Sequence, residues 1–256
     1  MNLSAVVLTK NEEKNIAKCL NSLKFCDEII LIDDYSTDKT ANIARNFGAK
    51  IFNRHMNMNF ADQSNFGIKK AKGEWSLLVD ADEIITPELA REIQRAITPN
   101  VIPGSDQESI QINAYQIPRI DYFLGKKLRY GEPGKSRVTR LVKKGKGQWS
   151  RRVHPTLNIK GEISTLKNPI MHYPHENIAE FIRSINRWSF WHSLALDEEN
   201  KKSSIIKITL WPILKFIQNY ILRLGFLDGT HGFVHAVIMS FHSFLGWSNL
   251  YVKTHK

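Results

Sequence analysis

Cysteine is scarce in this 256-residue chain. Only Cys19 and Cys26 occur, on an apolar helix face and at a strand entrance, so a disulfide scaffold is excluded and a reduced cytoplasmic protein is expected. Met1 to Leu8 has neither a basic leader nor a small-residue cleavage site, and its apolar run is too short for a secretory signal, so no leader is expected. Internal repeats and low-complexity tracts are absent, which excludes solenoid and array architectures. The first strand is not followed by a glycine-rich loop, which counts against sugar-nucleotidyltransferase chemistry. Acidic residues are nearly missing from Lys126 to Arg152, where eleven Lys or Arg face the single acid Glu132 and supply nearly the whole formal charge of +11. Such a block serves nucleic acid, anionic lipid or a phosphorylated substrate, or is simply a solvated loop.

With 42% apolar residues, the chain can bury one substantial core with a C-terminal appendage. Residues 3 to 97 alternate short apolar runs with helical patterns, the mark of βαβ units, so the fold class is α/β with a mostly parallel sheet flanked by helices. Strands are expected at Leu3 to Leu8, Glu28 to Asp33, Lys50 to Phe52 and Trp75 to Asp80. Thr9 and Glu12 read as a capping box opening the first helix. Further helices are expected from about Thr37, over Asp62 to Ala71, and after Thr86 and Pro87, the cap and first-turn proline of a fourth. Pro99 to Ser109 reads as a loop or internal boundary. Beyond it a strand at Ala114 to Ile117 gives way to an irregular basic stretch. Helices follow at Asn177 to Leu196, Ile205 to Leu224 and Gly229 to Val252.

Polar residues gather at the carboxyl ends of three strands: Thr9, Lys10, Asn11 and Glu12 after the first, Asp33 and Asp34 after the second, and Asp80, Asp82 and Glu83 after the fourth. In an open parallel α/β sheet that edge binds ligands. If the first strand lies between the second and fourth, the clusters share one crevice. Asp33 or Asp34 can accept hydrogen bonds from a base imide or ribose hydroxyls, and Asp80 with Asp82 offers hard oxygen ligands for Mg²⁺ or Mn²⁺ beside phosphate. Taken singly, Asp34 to Thr40 is an ordinary turn and cap, and an isolated Asp-x-Asp is common. The joint placement carries the functional reading.

The stretches Ala5 to Glu13 (AVVLTKNEE), Ile32 to Thr40 (IDDYSTDKT) and Leu78 to Glu83 (LVDADE) resemble the signature segments of family 2 glycosyltransferases with the GT-A fold. The likeness continues through Tyr122 to Gly125, Arg140 to Gly147, Trp149, Val153-His154, His172-Tyr173 and Gly225 to Gly229, which together resemble a bacterial lipopolysaccharide-core β-glucosyltransferase branch. The resemblance implies an inverting transferase with a UDP-sugar donor, a divalent cation and a lipopolysaccharide-core or related membrane glycan as acceptor. By position it assigns Thr9, Glu12, Asp33 and Asp34 to the nucleotide, Asp80 to the donor and Asp82 to the metal. Arg140 and His154 match the acceptor half, Arg140 as a further nucleotide-sugar contact. Related chains read Val-His-Glu where this one reads Val153-His154-Pro155, so the catalytic base falls to His154 or Glu162, with Glu132 more remote.

The expected organisation is a catalytic domain over 1–175, with a nucleotide half at 1–98 and an acceptor half at 110–175, followed by a helical membrane-docking region at 176–256. His231, His235 and His242 share a helical face without a neighbouring carboxylate or cysteine, and Trp188, Phe190 and Trp191 read as packing residues. Gly229 to Val252 carries no Lys, Arg, Asp or Glu, but its histidines, serines and glycines suit an interface better than a span. Peripheral attachment to the inner face of the cytoplasmic membrane is expected, with no nucleic-acid partner. The rivals are a degenerate transferase kept as a scaffold and a basic nucleic-acid-binding protein.

Overall fold

The computed structural model describes residues 1–98 and 112–255, which form two compact units. The first comprises Met1–Arg119, Arg137–Ser150 and His154–Met171; the second comprises Ile120–Ser136, Arg151–Val153 and His172–Lys256. The expected loop at Pro99 to Ser109 lies outside the described residues.

The chain begins β1 (Leu3–Thr9), α1 (Ile16–Ser22), β2 (Glu28–Asp33), α2 (Thr40–Asn46), β3 (Lys50–Asn53), α3 (Phe60–Lys70), β4 (Trp75–Asp80), β5 (Glu83–Ile85) and α4 (Pro87–Ile97). It continues with β6 (Ile112–Phe123), β7 (Lys126–Lys127), β8 (Arg137–Lys143), β9 (Gly147–Ser150), β10 (Thr156–Ile159), β11 (Glu162–Thr165) and β12 (Ile170–His172). Three long helices close it: α5 (Ile178–Glu198), α6 (Ile205–Phe216) and α7 (Thr230–Thr254).

In the first unit the strands run in the order β3-β2-β1-β4-β8-β6. β1 pairs in parallel with β2 and β4, which sets Thr9 opposite Asp33 and Leu8 opposite Asp80. The expected neighbourhood of the three polar clusters is therefore real. Both faces of the central strands are covered, so β1, β2 and β4 are continuous apolar runs rather than alternating ones. On one face Val7, Leu31, Leu77 and Val79 pack with Ile16, Leu20, Leu89 and Ile93 of α1 and α4. On the other, Val6, Ile30 and Ile32 meet α3.

Local signals predict α4 well, because Thr86 Oγ1 accepts the amide of Leu89 and Pro87 sits in the first turn. They fail at α1. No capping box forms from Thr9 and Glu12: α1 begins at Ile16, Asn15 precedes it without a side-chain cap, and Thr9 remains in β1. The amide of Glu12 is taken instead by Thr40 Oγ1 at 2.7 Å, and Asn11 Oδ1 accepts the amide of Thr37 at 2.7 Å. These bonds between the loops after β1 and β2 replace the local cap and delay α2 to Thr40. The basic stretch is likewise not irregular. β8 lies antiparallel between β4 and β6, and β9 with β10 forms a hairpin fixed to α3 by two bonds between Asn65 and the Trp149 backbone.

The fit of α3 on β1 gives a stability prediction. A Cβ on Gly67 would stand 2.4 Å from Val6 Cγ1, a fully buried, χ1-stiff side chain on the central strand. Helix propensity favours Gly67→Ala by about 1 kcal/mol, whereas overpacking costs roughly 1–3 kcal/mol. The overlap should win, and a urea midpoint below wild type is the expected result.

Candidate active site

The candidate site lies at the carboxyl ends of β1, β2 and β4. Glu83 is fully buried, and its carboxylate accepts the Asp80 amide at 3.0 Å and Arg140 Nη2 at 2.8 Å. The same guanidinium nitrogen bonds the Asp80 carboxylate. Burial works against the Arg140 charge, but Asp80 and Glu83 more than offset it and hold the group protonated. Arg140, expected among the nucleotide-sugar contacts, is thus built into the acidic motif through its two carboxylates. The sequence places Glu83 in the third polar cluster without a role there; its burial and its bond to Arg140 are not visible in the run LVDADE.

Glu12 shows what this crowding costs. Burial first, then the charge of Asp82, and more weakly Asp38 and Asp80, raise its pKa to about 7, while a 2.9 Å bond from Asn15 Nδ2 pulls the other way. Beneath the cluster, Cys19 Sγ approaches the Asp80 carbonyl at 3.6 Å, and burial followed by Glu83, Asp82, Asp80 and Glu12 keeps that thiol protonated.

At the neighbouring edge Asp33 is buried and receives the amide and hydroxyl of Ser36, which fixes the turn after β2. Asp34 meets Lys10 Nζ at 2.9 Å, the Met56 amide at 3.3 Å and His55 Nδ1 at 3.4 Å. Burial would raise its pKa, but the bonds from Lys10, Met56 and His55 outweigh that and lower it. The Tyr35 and His55 rings lie 4.1 Å apart beside it. Thr9 is buried, and its Oγ1 has no hydrogen-bond partner. An orphaned hydroxyl, an anchored carboxylate and an exposed aromatic at one edge form a setting that a nucleoside can complete.

The donor set fits a hard divalent cation only in shared form. Asp82, with Asp80 beside it, would hold Mg²⁺ or Mn²⁺, and the raised Glu12 pKa records a local excess of negative charge that a cation would relieve. Among the described residues no group of three His, Cys, Asp or Glu is ready to hold the ion alone. That matches a metal completed by phosphate oxygens and water.

The two candidate bases separate. His154 is exposed at φ 52° in the turn joining β9 to β10. The flanking Arg151 and Arg152 belong to the second unit, where they pair with Glu199 and Glu198. Glu162 is exposed at the start of β11, in register with Ile112 of β6. Ala114 of β6 stands level with Val142 of β8, and Val142 with Ser76 of β4, so Glu162 lies toward the opposite end of the sheet from Asp80. At about 3.3 Å per residue the offset is roughly 20 Å. Glu162, the alternative to His154 as base, therefore stands on the edge of the sheet away from Asp80.

Residues 4–146 match the family described as Glycosyl transferase family 2. Over 260 residues the chain is 30% identical to an uncharacterized glycosyltransferase of Rickettsia bellii, an alignment covering 97% of this chain and 85% of that protein. It is 26% identical to the lipopolysaccharide core biosynthesis glycosyltransferase LpsC of Rhizobium meliloti, across 98% of this chain and 92% of that one. Among solved structures it is similar to Staphylococcus aureus TarS 1-349, with 17% identity, a TM-score of 0.45, and coverage of 98% and 89% of the two chains. The mostly parallel sheet flanked by helices, with acids at its carboxyl edge, is that of a GT-A type α/β protein. The chain belongs to glycosyl transferase family 2.

Glu12 supplies a pH test. Its folded pKa lies above the ordinary value of 4.5, so its effect on stability is most favourable below about pH 4.5 and is progressively lost as pH rises through about 7. In metal-free buffer Glu12→Gln should therefore gain in melting temperature over wild type between pH 5 and pH 8 (roughly the span of that titration). Parallel curves across that range would show that Glu12 is an ordinary carboxylate.

Proposed function

We propose that the chain is an inverting transferase that moves a hexose, glucose in the first instance, from a UDP-sugar to a lipopolysaccharide-core or related membrane-associated glycan. The observation that carries this reading is the acidic cluster of Asp80, Asp82, Glu83 and Glu12, with Arg140 bonded to Asp80 and Glu83, beside the strand that ends at Thr9. The LpsC relative, named for lipopolysaccharide core biosynthesis, supports the choice of acceptor.

Each group then has a task. Thr9, Asp33 and Asp34 receive the nucleoside, and Lys10 keeps Asp34 ionised. Asp82 and Asp80 would hold a divalent cation, which would supply positive charge to stabilise the departing diphosphate. Arg140 keeps the Asp80 carboxylate aimed. The acceptor hydroxyl oxygen bonds to the anomeric carbon as the bond from that carbon to the diphosphate oxygen breaks, and UDP leaves with the electron pair. His154 is the group proposed to take the hydroxyl proton or to orient the acceptor, since an imidazole titrates near 6.5 in ordinary surroundings.

Two substitutions test these assignments. Asp82→Asn should abolish the gain in melting temperature that Mn²⁺ adds to UDP while leaving the unliganded melting temperature near wild type; undiminished Mn²⁺-dependent UDP binding would remove Asp82 from the metal site. GDP- and CDP-sugars, run beside UDP-sugars, test the nucleotide. His154→Ala should lower kcat for sugar transfer by about 10²-fold or more with UDP affinity nearly unchanged. A silent His154→Ala would assign the proton to another group, and a wild-type protein that binds UDP-sugars but never turns them over would be a scaffold.

A further inference from the structure

In the second unit, α6 and the π-helical turn that continues it to Leu222 present a line of exposed apolar residues at helical spacing: Ile206, Leu210, Ile213, Ile217 and Ile221. No residue of α6 is buried. The stretch runs antiparallel to α7, as Trp211 meets Trp247 at 6.4 Å and Phe216 meets Phe233 at 6.0 Å. The second helix adds a stripe of its own with exposed Phe233, Val237, Phe241 and Phe244. A two-helix apolar face of this extent on a water-exposed surface calls for a partner.

The polar residues around the face identify that partner. From residue 201 onward there are seven Lys or Arg and one acid, Asp228. That acid is buried, its carboxylate accepting the amides of Arg129 and Tyr130 at 3.0 and 2.9 Å. Exposed Lys201 and Lys202 flank one end of the hairpin, where Lys207 lies 4.8 Å over the Trp247 ring and Lys253 pairs with Asp197 at 2.7 Å. Cations and tryptophans bordering an apolar face match the boundary between anionic headgroups and acyl chains.

Ile205–Leu222 is also long and apolar enough to cross a bilayer. Its anchoring opposes that orientation. Lys215, on the inward side, pairs with Glu132 at 2.8 Å, and buried Asn219 reaches the same carboxylate. Beyond the stretch, the Arg223 carbonyl accepts the Gly131 amide, and Lys126 Nζ donates to the Asp228 carbonyl. A perpendicular span would drag the charged 126–132 segment into hydrocarbon or break these bonds, each costing several kcal/mol.

We infer that the α6–α7 hairpin is a monotopic anchor that lies in the plane of an anionic lipid surface, the inner face of the cytoplasmic membrane, with its outward stripe in the acyl boundary. The inference goes beyond the transferase reading and does not depend on it. The test is flotation of the full chain with phosphatidylcholine vesicles containing a minority of phosphatidylglycerol, beside vesicles of phosphatidylcholine alone. Wild type should float with the anionic vesicles, and high salt should release only part of it. The exposed-face variant L210E/I213E should weaken binding by about tenfold or more per residue while UDP affinity and far-UV circular dichroism stay at wild-type values. Failure of the transferase reading would appear in UDP binding, failure of this one only in flotation. The inference is overturned if wild type ignores both vesicles, if salt alone releases all of it, or if L210E/I213E floats as well as wild type. Removal from membranes only by detergent would indicate a spanning helix and overturn the in-plane geometry. A wild-type dimer that L210E/I213E converts to monomer would identify a second copy as the occupant and overturn the lipid assignment.

Discussion

The acidic edge of the sheet is organised by one largely buried cation. Arg140 reaches from β8 to the ends of β4 and β5, where the carboxylates of Asp80 and Glu83 meet its guanidinium. Glu83 has no exposure to water, so its charge is tolerable only because a cation and the Asp80 amide satisfy it. Removing Arg140 would leave Glu83 an uncompensated buried ion, a loss of about 3–5 kcal/mol. The pair therefore does two jobs. It fastens the antiparallel strand to the parallel sheet, and it fixes the motif that faces the ligand.

The remaining acids follow from that arrangement. Burial first, and then the charge of Asp82 with smaller additions from Asp38 and Asp80, raises the Glu12 pKa to about 7. On the nucleotide side the balance is opposite. Asp34 is matched by Lys10 and held ionised, so it offers a fixed acceptor. At one edge of the sheet the chain thus maintains a compensated carboxylate, Asp34, beside Glu12, whose neutral form is favoured by burial and nearby acids.

How much of this was legible depended on how local its causes are. The βαβ alternation, the Thr86 cap and the positions of Asp33, Asp80 and Asp82 at strand ends follow from near-neighbour chemistry, and the sequence shows them directly. The capping box at Thr9 and Glu12 satisfied a local rule and lost, because Asn11 and Thr40 join two loops far apart in the chain. β8 was hidden by its cations: Arg137, Arg140 and Lys143 read as solvated, yet Arg140 turns inward to acids some sixty positions earlier. Glu162 illustrates the opposite failure. It lay near His154 in sequence, but the β9–β10 hairpin and the β11 register carry it to the far edge of the sheet.

The second unit applies the same electrostatic rule to a different end. Glu132 is matched by Lys215, and burial, which alone would raise its pKa, is outweighed so that it stays ionised. Asp228 is satisfied by backbone amides rather than by a cation. Both acids are thereby occupied within the fold, and the cations left at the rim of the hairpin define the sign of its surface. The apolar stripe alone would fit lipid or protein equally well. Glu132 and Asp228 are used within the fold, Asp197, Glu198 and Glu199 are each matched by a cation, and Lys201 and Lys202 at the end of the hairpin leave the surface complementary to an anionic one.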